Sequence, residues 1–142
     1  MVYNDDTNAK DRREFFRLNF TTPLEFKSYS LTKTAPKSQI SQPSSKAVSQ
    51  NISQSGILFQ TGENPPQLSS ILWMHLDFRT LNICQEIEKR ALIFNNGVLG
   101  KVVRVEEDPE NNRLYDIGVC FLTQDQRHSK EISKLLSELS QA

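Results

Sequence analysis

The sequence carries two short polar motifs, Arg13-Glu14-Phe15-Phe16-Arg17 and Asn51-Ile52-Ser53-Gln54-Ser55-Gly56, each beside a stretch with the alternation of a β-strand. Arg13 and Arg17 place two guanidinium groups four residues apart. Guanidinium groups bind phosphate oxygens and the O6/N7 edge of guanine through paired hydrogen bonds, and their planes stack on rings. The first motif therefore predicts a clamp for a purine nucleotide that carries phosphate, and Arg12 is a further candidate for this clamp.

The second motif supplies short polar groups that suit a docking surface for a base. The amide of Asn51 offers an acceptor and two donors, Ser53 offers a hydroxyl, and Gly56 lets the backbone approach a flat ligand or enter a bulge. Taken alone, this motif is also typical of an Asx or serine turn that leads into a strand. The arginine pair upstream favours the interpretation as a binding site.

Together and in this order, the two motifs resemble the signature of the PilZ family of bacterial cyclic di-GMP receptors, Arg-x-x-x-Arg followed by Asp/Asn-x-Ser-x-x-Gly. The resemblance covers about residues 11–121, because the segments 100–104 and 115–121 are similar to late strands of that family. It implies a six-stranded antiparallel PilZ-type β-barrel with a C-terminal α-helix. It also implies a cyclic di-GMP site at Arg12, Arg13, Arg17, Asn51, Ser53 and Gly56.

Hydrophobic alternation also predicts an α+β domain that is mainly β. Residues 17–27 alternate apolar and polar side chains, which indicates a strand with one buried face, and Pro23 on its polar side indicates an edge or a bulge. We interpret residues 80–96 as a strand before an Asn95-Asn96-Gly97 hairpin turn, although Ile87, Ala91 and Phe94 also have helical spacing. The other predicted strands cover residues 51–61, 71–78, 98–107 and 113–122.

These patterns divide the chain into three parts. Residues 1–11 are polar and predict a flexible N-terminal arm, and residues 12–122 predict the barrel, with a long polar loop at residues 28–50. Residues 123–142 begin with the capping-box pattern Thr123-x-x-Gln126 and continue with leucines at helical spacing. The resulting amphipathic helix must pack on its own barrel or on a second copy, so a monomer and a homodimer are both open.

Charge and cysteine content limit the possible partners and the compartment. Seventeen basic and 17 acidic residues leave a net charge of zero, which disfavours a general nucleic-acid binder. We expect Cys84 and Cys120 to be reduced and buried, without a role in a disulfide or a metal site. No targeting segment and no apolar run of about 18 residues are evident. We therefore expect a cytoplasmic protein with no membrane span.

The sequence thus predicts a cyclic di-GMP receptor that has no catalytic activity, no cofactor and no metal. Binding would order the arginine arm and change the surface offered to an unknown downstream protein partner, in control of motility, biofilm or exopolysaccharide. One alternative is a PilZ-fold interaction adaptor that does not bind nucleotide. Another is a single-stranded nucleic-acid binder, which the balanced charge disfavours. An enzyme is the weakest option, because no catalytic constellation is recognisable.

Overall fold

The computed structural model describes residues 18–30, 44–62 and 64–140, and six of the strands within them form a barrel. The barrel strands are β2 (Pro23–Tyr29), β3 (Ser45–Ile52), β4 (Gly56–Thr61), β5 (Ile71–His75), β7 (Gly97–Asp108) and β8 (Asn111–Phe121). Around the barrel their order is β2, β3, β4, β8, β7 and β5, and antiparallel pairing of β5 with β2 closes the circle. The structure confirms the predicted six-stranded antiparallel barrel.

Two short strands, two helices and a 3-10 turn complete the described chain. Strand β1 (Leu18–Asn19) pairs with β3, and strand β6 (Ile93–Phe94) pairs with β7. Helix α1 (Cys84–Arg90) lies between β5 and β6, and helix α2 (Lys130–Ser140) follows a 3-10 turn at Gln124–His128. The capping box at Thr123 belongs to this 3-10 turn, and the backbone leaves helical geometry at Ser129 before α2 begins.

The barrel interior is filled by the alternate side chains of its strands. The rings of Phe26 and Phe59 meet inside it with their centroids 5.3 Å apart. Leu24, Ile57 and Ile117, which the alternation of their strands directs inward, are buried, whereas Tyr115 in the same phase as Ile117 is half-buried. Burial of this apolar surface is the main term that favours the folded barrel.

Helix α2 covers one flank of the barrel on the outside. Its buried side chains Ile132, Leu135 and Leu139 form a second apolar cluster with outward-facing barrel residues such as Ile71 and Leu99. The amphipathic face of the helix is therefore satisfied within a single copy of the chain.

Two predictions about the connecting segments were wrong. Residues 45–50, placed in a polar loop, form most of strand β3. Its inward residues include Ala47 and Ser49, so the strand lacks the bulky alternation that identifies its neighbours. Ser28 and Tyr29 at the start of that predicted loop belong to β2, and residues 31–43 lie outside the described residues.

Residues 80–96 form helix α1 and the short strand β6, not the predicted strand. Ile87, the only buried side chain of the helix, anchors it on the barrel. Asn95 and Asn96 have φ angles of 51° and 62°, which is the left-handed geometry of a type I′ hairpin turn. The turn was predicted correctly, but the strand before it was misplaced.

The predicted first strand is interrupted at residues 20–22, and a buried serine joins its two parts to β3. The Ser49 hydroxyl donates a hydrogen bond to the carbonyl of Phe20 and accepts one from the Thr22 amide at 2.9 Å. The Phe20 amide donates to the carbonyl of Gln50 at 3.0 Å. These bonds fix strand β1 against the end of β3.

Candidate functional site

The candidate site lies on the outer surface of the barrel and depends on a bulge in β3. The register shifts between Ser49, which pairs with Phe59, and Asn51, which pairs with Leu58. An extra residue in one strand reverses the faces of the residues that follow it. Ser49 and Ile52 are therefore both buried, and Asn51 faces outward.

A second bulge, in β7, faces the first across the sheet. The register shifts between Val102 and Arg104, and Val103 is left 52% exposed. Both Val103 and Arg104 therefore project from the outer surface. A bulged strand bends locally, so the sheet between the two bulges is concave on the outside.

This concave surface forms a cavity of about 220 Å³. Gly118 on β8 keeps it open beneath Arg104, because a Cβ at that position would lie 3.1 Å from the Arg104 Cβ. The volume is below the range of about 300–1,000 Å³ that is usual for a whole drug-sized ligand. The lining residues are Asn51, Ser55, Gly56, Leu58, Val103, Arg104, Gly118, Val119 and Cys120.

Ser53 is not among the lining residues and instead shapes the turn between β3 and β4. Its side chain is only 2% exposed, and its hydroxyl accepts a hydrogen bond from the Ser55 amide at 3.2 Å. The Ser53 amide donates to the carbonyl of Gly56 at 2.9 Å. The structure therefore contains the serine turn, and Ser55 takes the place at the cavity wall that the sequence suggested for Ser53.

Gly56 allows β4 and β8 to approach each other at the edge of the cavity. A Cβ at this position would lie 2.3 Å from the carbonyl oxygen of Val119, which is far inside van der Waals contact. The Phe121 amide also donates to the carbonyl of Ser55 at 2.9 Å. The glycine of the motif is thus required by the barrel itself.

The predicted arginines Arg12, Arg13 and Arg17 lie outside the described residues. The described chain begins beside the cavity, however, because Leu18 pairs with Ile52 and Asn19 pairs with Asn51. Because this pairing is antiparallel, Leu18 lies closer than Asn19 to the turn at residues 53–55. Of the predicted site residues, Asn51 and Gly56 line the cavity, and Ser53 is buried in the adjoining turn.

Arg104 is a charged side chain that lines the cavity; from the sequence alone it is either a third basic contact near the ligand or, as we expected, a solvated arginine of the strand at residues 98–107. Its Nη2 lies 2.7 Å from Oε1 of Glu106. The hydrogen bond that Arg104 donates to this carboxylate raises the pKa of Arg104 further, so the guanidinium carries its charge at any physiological pH. The hydrophobic alternation could not reveal its place, because the bulge that brings it to the cavity has no signature in the sequence.

The two cysteines are more exposed than predicted, since the sequence indicated that both would be buried. Cys120 is exposed at the cavity and Cys84 is partly buried at the start of α1, so neither thiol is fully buried, and neither is in a disulfide. Position 120 lies between the inward-facing Val119 and Phe121, so the alternation of β8 turns it outward. Desolvation raises the pKa of the Cys84 thiol.

A second cavity, of about 570 Å³, lies near the end of β5 and is lined by His75, Phe78, Arg79 and Ile93 among others. Arg79 forms an ion pair with Asp77 at 2.9 Å there. Within residues 18–30, 44–62 and 64–140, no three His, Cys, Asp or Glu side chains are arranged to hold a metal ion. In the same residues, no helix has the length and apolar character to cross a bilayer.

The fold and the site define a small β-barrel domain with an outer cavity at the end of two adjacent strands. The family model of the PilZ domain matches residues 11–138. The chain therefore belongs to the PilZ domain family, a family of cyclic di-GMP receptors.

Comparison with solved structures shows the same fold. The chain is similar to the Bacillus subtilis inhibitor of motility MotI/DgrA, with a TM-score of 0.52 and 13% sequence identity. The match covers 92% of this chain and 50% of that one, so the chain spans about half the length of that structure. A comparison with curated proteins found no match.

Proposed function

We propose that this protein is a cyclic di-GMP receptor whose ligand binds in the outer cavity between the two bulges. The observation that carries the proposal is that Asn51 and Arg104 face outward into one cavity beside β1. An amide and a guanidinium are groups that pair with the edge of a base and with phosphate. The apolar side chains of Leu58 and Val103 line the same cavity and suit the face of a ring.

The arginines of the first motif are within reach of this cavity. Arg17 immediately precedes Leu18, so their Cα atoms are about 3.8 Å apart. Arg13 is four residues further back, and its Cα can lie no more than about 18 Å from that of Leu18. We propose that Arg13 and Arg17, with Arg12 beside them, close over the phosphates and the guanine faces of the ligand.

The size of the cavity supports a site in which the barrel and the arm contact different parts of the ligand. A cavity of about 220 Å³ suits one base better than a whole cyclic dinucleotide. We propose that one guanine rests at Asn51 and Gly56, while the arginine arm covers the rest. Ordering of the arm would then alter the surface offered to a downstream protein in motility, biofilm or exopolysaccharide control.

Isothermal titration calorimetry of the purified chain with cyclic di-GMP tests this function. We expect saturable binding with a Kd in the micromolar range or tighter. Cyclic di-AMP should bind at least about tenfold more weakly, because a site that pairs with a guanine edge leaves polar groups unpaired against adenine. Titration with GMP serves as the control that shows whether the site requires a dinucleotide. No detectable binding at about 100 µM cyclic di-GMP, which is about 100 times a Kd of 1 µM, would instead support an adaptor that does not bind nucleotide.

A further inference from the structure

A charged pair at the cavity extends the site beyond the residues of the two motifs. Arg104 lines the cavity above Gly118, and its guanidinium is held by Glu106 on the same strand. The two side chains are 52% and 56% exposed. A pair that is so exposed contributes at most about 1 kcal/mol to stability, so an anion can displace the carboxylate at little cost.

Arg104 also lies near a second carboxylate, that of Asp116. Glu106 lies directly opposite Asp116 in the β7–β8 ladder. Like charges at facing positions of a sheet repel each other. Arg104 is close enough to both carboxylates for each to raise its pKa. It is therefore the cation that offsets this repulsion in the protein without ligand.

We propose that Arg104 is a further ligand contact of the cavity and that Glu106 is an internal counter-ion that competes with the anionic ligand for it. This inference rests on the proposed function and adds a regulatory element to the same site. When a phosphate or the O6/N7 edge of guanine takes the guanidinium, the Arg104–Glu106 bond breaks. The affinity of the receptor is then set partly by a carboxylate that does not itself contact the ligand.

Substitutions of Arg104 and of Glu106 should change the affinity for cyclic di-GMP in opposite directions. Arg104→Ala removes a charge-assisted contact and should weaken cyclic di-GMP binding by about ten- to a hundredfold. Arg104→Lys keeps the charge without the planar fork and should fall between this variant and the wild type. Glu106→Gln removes the competitor and should tighten binding by about two- to fivefold. Both positions are exposed, and thermal unfolding of each variant checks that the fold is retained.

The pair of Asp77 and Arg79 provides a matched control. It is also an exposed carboxylate–arginine pair with two residues of spacing, at 2.9 Å, but it lines the other cavity. Arg79→Ala and Asp77→Asn should leave the affinity unchanged.

The outcomes separate this inference from the proposed function. Wild-type protein that binds cyclic di-GMP, together with an Arg104→Ala variant of equal affinity, would overturn the ligand contact alone. Weaker binding by Glu106→Gln would show that the carboxylate positions Arg104 and does not compete with the ligand. Failure of the wild type to bind would overturn both proposals.

Discussion

Replacing Arg17 with alanine should weaken cyclic di-GMP binding by at least about a hundredfold. A guanidinium that donates two hydrogen bonds to a charged ligand makes contacts of about 1.5–3 kcal/mol each, and alanine removes both. Arg17 is the residue of the first motif that directly precedes the described chain, and the next residue, Leu18, pairs with Ile52. Calorimetric titration of the variant against the wild type measures the loss, and Arg13→Ala should show a loss of similar size.

Other arginines show whether the effect belongs to this motif. Arg113→Ala removes an exposed guanidinium on β8 away from the cavity and should bind like the wild type. Arg12→Ala measures whether this neighbour shares the contact. If Arg13→Ala and Arg17→Ala both bind as tightly as Arg113→Ala, the first motif does not form the clamp.

Replacing Gly56 with alanine should destabilise the barrel by about 3 kcal/mol, at the upper end of the usual cost of overpacking. The new Cβ would lie 2.3 Å from the Val119 carbonyl oxygen, and this atom belongs to the backbone of a paired strand. Strands β4 and β8 must therefore separate where they form one wall of the cavity. Urea unfolding followed by circular dichroism measures the loss of stability.

Gly62 provides the matched control for this substitution. No atom lies within 4 Å of a Cβ built at Gly62, so Gly62→Ala should be neutral or slightly stabilising. Equal stabilities of Gly56→Ala and Gly62→Ala would refute the close approach of β4 and β8. Weaker ligand binding by Gly56→Ala is expected in addition, because the cavity wall shifts with the strand.

The alternation of large side chains was sufficient to predict most of the barrel. Buried residues such as Leu24 and Phe26 on β2, or Ile57 and Phe59 on β4, recur with a period of two. This pattern arises because one face of each strand must be buried. The Asn95-Asn96 turn could also be predicted from the sequence, because few residues adopt the left-handed geometry that a type I′ turn needs. The family motif added the expectation that the barrel closes.

The remaining features depend on contacts between distant parts of the chain. Strand β3 turns the small residues Ala47 and Ser49 inward, and small or polar inward residues look like a loop. Helix α1 is fixed by one buried residue, Ile87, which is too little periodicity to separate a helix from a strand. In such segments tertiary packing decides the structure, and local propensity is a weak guide.

The residues of the candidate site were also predicted only in part from the sequence. The sequence identified Asn51 and Gly56 as site residues, and the structure brings both to one cavity. It could not show that Ser53 is buried in the turn, or that Arg104 and Cys120 line the same cavity. Their positions follow from two bulges and from the facing of β8 against β4, which are properties of strand pairing.

Protection of a cysteine tests the central claim, that cyclic di-GMP occupies the outer cavity, most directly. Cys120 is exposed and lines this cavity, whereas Cys84 lies at the start of α1, outside the cavity, and has a raised thiol pKa that slows its reaction. The measurement is the rate of alkylation of each thiol by iodoacetamide, followed by mass spectrometry with and without saturating cyclic di-GMP. We expect the ligand to slow modification of Cys120 at least about tenfold and to leave Cys84 unchanged. An unchanged Cys120 rate in a sample that binds the ligand by calorimetry would contradict the proposed location.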